Sequence, residues 1–149
     1  MRTIRTGGIA IAIAVWVSTL APAASAHHSF AMYNMGVTKV MTGKLTRFIP
    51  GSNHAQLIFE VLNADGSPVM EKGKPLVWGM ETGSAAAMAR SGVTVESFPP
   101  GTIMTVTLHP LRDGRPMGAV GGPIVSCGMT MPSGGCNEKT GKVMTAPAN

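Results

Sequence analysis

Apolar and polar residues alternate along several stretches of the chain, and this period of two is typical of half-buried β-strands. The clearest stretch runs from Thr102 to His109 and reads T-I-M-T-V-T-L-H. Four other stretches are rich in β-forming residues and are bounded by glycine, proline, asparagine and aspartate turn signals. The five predicted strands span 37–49, 55–62, 74–81, 102–109 and 117–127.

One segment has the composition of a helix. Ser84 to Arg90 is alanine-rich, begins at a serine that can cap it and is closed by Gly92. Three strands, a short helix and two more strands is the order of an OB-type Greek-key barrel. We therefore predict an all-β fold: a small five-stranded OB-like barrel, or a sandwich, with the helix between strands 3 and 4. Gly43 marks a predicted bulge or bend in the first strand.

The first 26 residues have the three parts of a secretory signal. Arg2 and Arg5 precede a twelve-residue apolar run from Ile9 to Leu20, and a small-residue stretch ends in Ala24-Ser25-Ala26. The apolar run is shorter than the roughly 20 residues that cross a bilayer. We expect cleavage after Ala26, a mature chain without stable membrane insertion, and a periplasmic or secreted location.

The remaining chain is expected to form one domain with flexible ends. A predicted exposed N-terminal arm spans 27–36, the β-barrel domain spans 37–127, and a C-terminal loop and flexible tail spans 128–149. Without the leader, 10 basic residues face 7 acidic ones, a net charge of +3. The basic residues are scattered with few aromatics among them, so nucleic acid is not expected as a partner.

Two cysteines, Cys127 and Cys136, lie nine positions apart near the C-terminus. An even cysteine count in an exported chain favours a disulfide. The alternative is that these thiols, with Met129 and Met131 between them, are soft ligands for Cu(I).

Several short motifs follow one another along the chain: Ala26-His27-His28-Ser29-Phe30, Gly43-Lys44-Leu45, the turn histidine His54, Trp78-Gly79-Met80-Glu81-Thr82-Gly83-Ser84, Arg90-Ser91-Gly92 and Pro100-Gly101. Together they resemble a family of small exported bacterial proteins of unknown function. The resemblance covers roughly residues 26–122, and it implies export and a β-barrel fold but no catalytic residues. Two positions depart from the family pattern: Ser52-Asn53 replaces an Asn-Pro pair, and Thr102 replaces an acidic residue.

Cleavage after Ala26 would place a histidine at the start of the mature chain. The α-amine and imidazole of His27 would then form a bidentate chelate, and His28 could join it through the intervening peptide nitrogen. His54 or His109 would complete a histidine brace, a set of nitrogen ligands that suits copper. The candidate metal ligands are therefore His27, His28, His54 and His109, with zinc at His54, His109 and Glu81 as the alternative.

Methionine is abundant, with eleven residues besides Met1. Thioethers favour Cu(I), and Met32, Met35 and Met41 follow the histidines closely. Trp78-Gly79-Met80 also resembles the tryptophan and methionine surroundings of small barrel-shaped Cu(I) carriers. The alternative is that methionine fills gaps in a core that is poor in aromatics.

No catalytic motif is visible in the sequence, and the acidic residues are scattered. We expect a binding protein rather than an enzyme, with copper-dependent oxidation at a brace as the remaining catalytic option. Two hypotheses follow from these patterns. One is a copper-binding protein with His27 as its chelating terminus, and the other is a metal-free OB-like module that binds a protein partner or a small ligand.

Overall fold

The structure is a computed structural model and describes residues 30–145. The predicted signal peptide, His27 and His28 lie outside the described residues. In the described range the chain forms strands and short helices with these bounds: a 3₁₀ turn Phe30–Met32, β1 Lys39–Ile49, β2 Gln56–Val61, β3 Met70–Glu71, β4 Lys74–Pro75, β5 Val77–Glu81, α1 Ala85–Arg90, β6 Ile103–Pro110, β7 Met117–Ser126 and β8 Lys142–Met144.

Five of the strands close into a barrel. The hydrogen-bonded order is β5-β2-β1-β6-β7, and a parallel pairing of β5 with β7 joins the two ends. The remaining pairings within the barrel are antiparallel. This order, with α1 between the third and fourth barrel strands, is the OB-like topology that the sequence predicted.

The alternating pattern places every second residue inside the barrel. On β2 these residues are Leu57, Phe59 and Val61, and on β6 they include Met104, Val106 and Leu108. They form one cluster with residues from the helix and the segment after it, namely Met88, Val93 and Phe98. One continuous apolar core therefore fills the barrel, because each strand contributes one face to it.

The helix begins and ends as its sequence predicts. The Ser84 side chain accepts a 3.2 Å hydrogen bond from the backbone N–H of Ala87, which is the usual role of an N-cap serine. After Arg90 the chain turns at Gly92, whose φ of 79° suits glycine. The capped turn holds Met88 fully buried against the barrel core.

The bulge in β1 lies at Thr46, where the register with β2 shifts between Leu45 and Arg47. The sequence predicted a bulge or bend at Gly43, and the bulge is not there. Gly43 is regularly paired, and its lack of a side chain serves packing. A Cβ at this position would collide with the ring of Phe59, which fills the space above the glycine.

Part of the segment that was predicted as a flexible tail forms a strand. Lys142–Met144 forms β8, which pairs with Ile124–Ser126 of β7, and the side chain of Met144 is buried in the core cluster. The predicted third strand, 74–81, is divided in two: Lys74–Pro75 is β4, which forms a small hairpin with β3, and Val77–Glu81 is β5. Within residues 30–145, no helix is long and apolar enough to cross a membrane.

Candidate functional site

The N-terminal arm lies along the end of β6 and the loop that follows it. The backbone N–H of Asn34 donates to the Pro110 carbonyl at 2.8 Å, and Tyr33 forms an isolated β-bridge with Leu111. One step further, the Met32 carbonyl accepts a 2.9 Å hydrogen bond from the Arg112 backbone N–H. The described part of the arm is thus held by backbone hydrogen bonds.

Tyr33 is the anchor of the arm. Only 4% of its surface is exposed, because it packs with Leu111 and Ala119 against the outside of the barrel. This corrects the prediction that the whole arm is exposed. A tyrosine ring buries a large apolar area and still offers a hydroxyl for hydrogen bonding.

A cavity of about 290 Å³ opens between the arm, the end of β5 and the β6–β7 loop. Its size is close to the lower bound for small-ligand pockets. The site uses the outer face of β5 and the β6–β7 loop, and OB-type barrels use strands and loops of this region to bind ligands. We call it the arm pocket, and it is lined by Met32, Tyr33, Glu81, Leu111, Arg115, Pro116 and Met117.

Glu81 is the acidic residue of the arm pocket, and His54 lies beside it. His54 Nδ1 is 3.7 Å from Glu81 Oε1, with the histidine side chain 42% exposed and the glutamate side chain 22% exposed. The loop that carries His54 is fixed next to the end of β5: Ala55 N–H donates to the Gly83 carbonyl, and Thr82 N–H donates to the Ala55 carbonyl. The buried Thr82 hydroxyl also donates to the Ala55 carbonyl at 3.2 Å.

Tyr33 and Glu81 interact inside the pocket. Burial, the negative charge of Glu81 and hydrogen bonding to that carboxylate raise the pKa of Tyr33 to about 12. The phenol therefore stays protonated at neutral pH and is a hydrogen-bond donor toward the carboxylate.

The guanidinium of Arg115 is engaged at the rim of the pocket. Its Nε donates to Asp113 Oδ2 at 2.8 Å across the turn of the β6–β7 loop. The backbone N–H and then the side chain of Arg115 hold the pKa of Asp113 below its ordinary value. Arg115 thus has a local carboxylate partner other than Glu81.

His109 lies on the same outer face but is separated from Glu81 by β7. Both residues are paired with Ala119, one from each side, so two strand spacings, about 10 Å, separate their backbones. His109 Nδ1 donates to the Val37 carbonyl at 2.9 Å, so this ring nitrogen is engaged by the backbone. Its ring lies over Gly121, where a Cβ would be 2.9 Å from Nε2.

Met117 contributes a thioether to the wall of the arm pocket. It is paired with Gly79 across the parallel seam of β5 and β7. A Cβ on Gly79 would be 2.5 Å from the Met117 sulfur, so the sulfur occupies the space above the glycine. Gly79 and Glu81 point to the same face of β5 because they are two residues apart.

The structure brings together some of the predicted metal ligands and separates others. His54 and Glu81 are neighbours, whereas His109 is on the far side of β7. Within residues 30–145, no three histidine, cysteine, aspartate or glutamate side chains cluster as a metal site. The zinc set of His54, His109 and Glu81 is therefore not assembled in this part of the chain.

The two cysteines form the predicted disulfide, with their Cα atoms 5.8 Å apart. Their sulfurs are thus not thiolate ligands, and the alternative of a Cu(I) site at Cys127 and Cys136 is wrong. Met80 is fully buried in the barrel core, and Trp78 is also a core residue. The Trp78-Gly79-Met80 motif therefore does not present its methionine to a surface site, because alternation directs Met80 inward.

Sequence reasoning did not identify Tyr33, Arg115 or Met117 as site residues. Tyr33 is the single tyrosine of the chain, and a lone aromatic in a segment that otherwise looks exposed was the available signal. Met117 has no such signal, because its role depends on a parallel pairing between segments 38 residues apart.

Comparison with known protein families agrees with the motifs in the sequence. The model described as Family of unknown function (DUF6152) matches residues 14–120. The chain belongs to this family. The DUF6152 match includes the arm, His54 and every residue that lines the arm pocket, and it ends before the disulfide and β8. No curated protein and no solved structure matches the chain.

Proposed function

We propose that this protein is an exported copper-binding barrel whose mature chain begins at His27. In this proposal the amine and imidazole of His27 bind Cu(II) beside the arm pocket, with His28 as a local ligand and His54 as the distant imidazole. Glu81 supplies negative charge next to them. The observation that carries the proposal is the path of the arm, which leads toward Glu81 and away from His109.

The path follows from four contacts in sequence order. Val37 contacts His109, Asn34 contacts Pro110, Tyr33 pairs with Leu111, and Met32 contacts Arg112. Each step toward the N-terminus therefore moves the arm one step further from His109. This direction favours His54 over His109 as the third nitrogen ligand.

The remaining length of chain is short enough for the proposed geometry. Met32 already lines the arm pocket, and five residues of extended chain span at most about 18 Å. A terminus at His27 can therefore reach the pocket, because it is at most about 18 Å from Met32. Amine and imidazole nitrogens together rank copper highest among the divalent ions.

The proposal is one of binding and carries no catalytic step. Its test is to express the chain with its own leader, measure the mature N-terminus by mass spectrometry and titrate Cu(II) against a competing chelator. An alanine inserted before His27 should abolish tight binding, because it removes the amine from the histidine. His54→Ala should weaken binding, and His109→Ala is the matched control that should not.

Three results would overturn the copper proposal: a mature terminus other than His27, undiminished Cu(II) affinity after the alanine insertion, or a loss of Cu(II) affinity in His109→Ala but not in His54→Ala.

Trp78 offers an independent readout, since it is the one tryptophan outside the predicted leader and precedes Gly79 of the pocket face. Cu(II) bound near the pocket should quench its fluorescence.

A second candidate is a metal-free module that binds a small ligand or a protein partner in the arm pocket. The observation in its favour is the apolar wall of Met32, Leu111, Pro116 and Met117 around a single carboxylate. In that case Tyr33→Phe and Glu81→Gln should change ligand binding, whereas chelators and the alanine insertion should have no effect.

A further inference from the structure

We infer that the arm pocket holds a second type of copper site, which binds the soft monovalent ion Cu(I) through the thioethers of Met32 and Met117. Both side chains line the same cavity, although they are 85 residues apart in the sequence. Thioether sulfur favours Cu(I) over harder divalent ions. The inference rests on the proposed function only in taking copper as the metal, because the ligands are different atoms.

The sulfur of Met117 is held in place by the strand pairing. Met117 is opposite Gly79, and its sulfur fills the space that a side chain at position 79 would occupy. Glu81, two residues further along β5 on the same face, is about 7 Å from Gly79. A cation bound at the Met117 sulfur would therefore be close to a carboxylate that balances its charge.

Met32 approaches the pocket from the arm. Its side chain is 50% exposed, although its backbone is fixed by the hydrogen bond to Arg112 and by the burial of the neighbouring Tyr33. An exposed thioether on a fixed backbone can turn toward an ion without loss of packing. The arm therefore contributes one sulfur and the barrel the other.

These two methionines differ from those that fill the core. Met80, Met88 and Met104 are fully buried within the barrel cluster, where a flexible side chain fills irregular space. Met32 and Met117 instead border an open cavity that also contains a carboxylate. Packing accounts fully for the core methionines, whereas the side chains of Met32 and Met117 also border open space that an ion can enter.

The experiment is an anaerobic titration of the mature chain with Cu(I) in competition with a chromophoric Cu(I) chelator, repeated with Ag(I) as a redox-inert probe. Met32→Leu and Met117→Leu should each weaken binding by about tenfold or more, as is usual for disturbing a metal site. The matched controls are Met35→Leu and Met129→Leu, because both methionines are exposed and neither lines the pocket. They should bind both ions as the wild type does.

Gly79→Ala is a second variant, and it keeps both methionines in the sequence. Its Cβ would displace the Met117 sulfur, so Cu(I) and Ag(I) affinity should fall while the circular dichroism spectrum is unchanged. The inference is overturned if the wild type does not compete for Ag(I), if Met117→Leu and Gly79→Ala bind like the wild type, or if the control variants weaken binding equally.

The tests of the thioether site and of the Cu(II) site can be distinguished by their variants. The alanine insertion before His27 should abolish Cu(II) binding but leave Ag(I) binding within about twofold, whereas the methionine variants should have the opposite effect. A loss of both ions on the insertion alone would mean that the terminus is the one copper site, and the thioether site would be rejected.

Discussion

The carbonyl oxygen of Val37 lies 2.9 Å from Nδ1 of His109 and joins the base of the N-terminal arm to the end of β6. The histidine that the sequence offered as a metal ligand thus has a structural role, because its ring nitrogen satisfies a backbone carbonyl. Among residues 30–145, the His54 side chain has no such hydrogen bond to the backbone, and it is beside Glu81. The two histidines are therefore expected to respond differently to substitution.

His109→Ala should lower the free energy of unfolding by about 1 kcal/mol, the usual net value of one hydrogen bond. His54→Ala should change it by less than about 0.5 kcal/mol, since the side chain is 42% exposed and lies 3.7 Å from Glu81, and surface substitutions of this kind change stability little. Urea denaturation measures both values. Equal losses in the two variants would contradict the assignment of His109 to structure and His54 to the site.

Tyr33 should titrate near pH 12 in the folded protein, because burial and the charge of Glu81 both disfavour the phenolate. A tyrosine whose pKa is raised on folding contributes stability that is fully present below its ordinary pKa of about 10. That stability is lost as the pH rises from about 10 toward 12. Absorbance at the phenolate band reads this group alone, since the chain has a single tyrosine.

Two further measurements test the cause of the Tyr33 shift. In the urea-unfolded protein the titration midpoint of Tyr33 should return to about 10. In Glu81→Gln the midpoint of the folded protein should decrease, because the carboxylate charge is gone. A folded midpoint at the ordinary value would mean that Tyr33 does not face Glu81 in a buried pocket.

Gly43→Ala should destabilise the barrel by about 1–3 kcal/mol, the usual cost of overpacking a core. Its Cβ would meet the Phe59 ring and come within 2.9 Å of the Glu60 carbonyl, which is backbone and cannot move freely. Gly36→Ala is the matched control, with its nearest atom 3.6 Å away. Thermal unfolding should separate the two variants, and a neutral Gly43→Ala would contradict the packing.

Removing the disulfide by Cys127→Ser with Cys136→Ser should lower the free energy of unfolding by about 2.5–3 kcal/mol, as expected for a loop of this length. The loss should be most evident at β8, because Gly141, just before this strand, packs against Cys127. Hydrogen exchange should become faster at 142–144 than in the β1–β2 pair. A uniform increase across the barrel would indicate that the disulfide does not hold β8 locally.

Local patterns in the sequence were sufficient for most of the barrel. The alternation of Thr102 to His109 and the capping serine before the helix are properties of neighbouring residues, so both elements could be predicted. β8 could not, because Lys142–Met144 is a strand only where β7 presents an edge to it. Local sequence contains no information about that edge.

In the candidate site, too, the sequence identified suitable residues but not the contacts between distant ones. His54 and Glu81 were recognised as chemically suitable residues, but their proximity depends on the loop bonds at Thr82 and Ala55. The burial of Tyr33 depends on Ala119, which is 86 residues away and leaves room for the ring on the outer face. Such distant complementarity is set by the tertiary structure, and one sequence does not reveal it.

The parallel pairing of β5 with β7 has a consequence for how the protein folds. This seam consists of three residue pairs, from Gly79 with Met117 to Glu81 with Ala119, and it requires ordering of the chain between them, including α1 and β6. Pairings of such large sequence separation form late and slowly. The arm pocket spans this seam, so it forms only when the barrel closes. Any ion or ligand that binds there therefore stabilises the closed barrel over forms in which β5 and β7 are not yet paired.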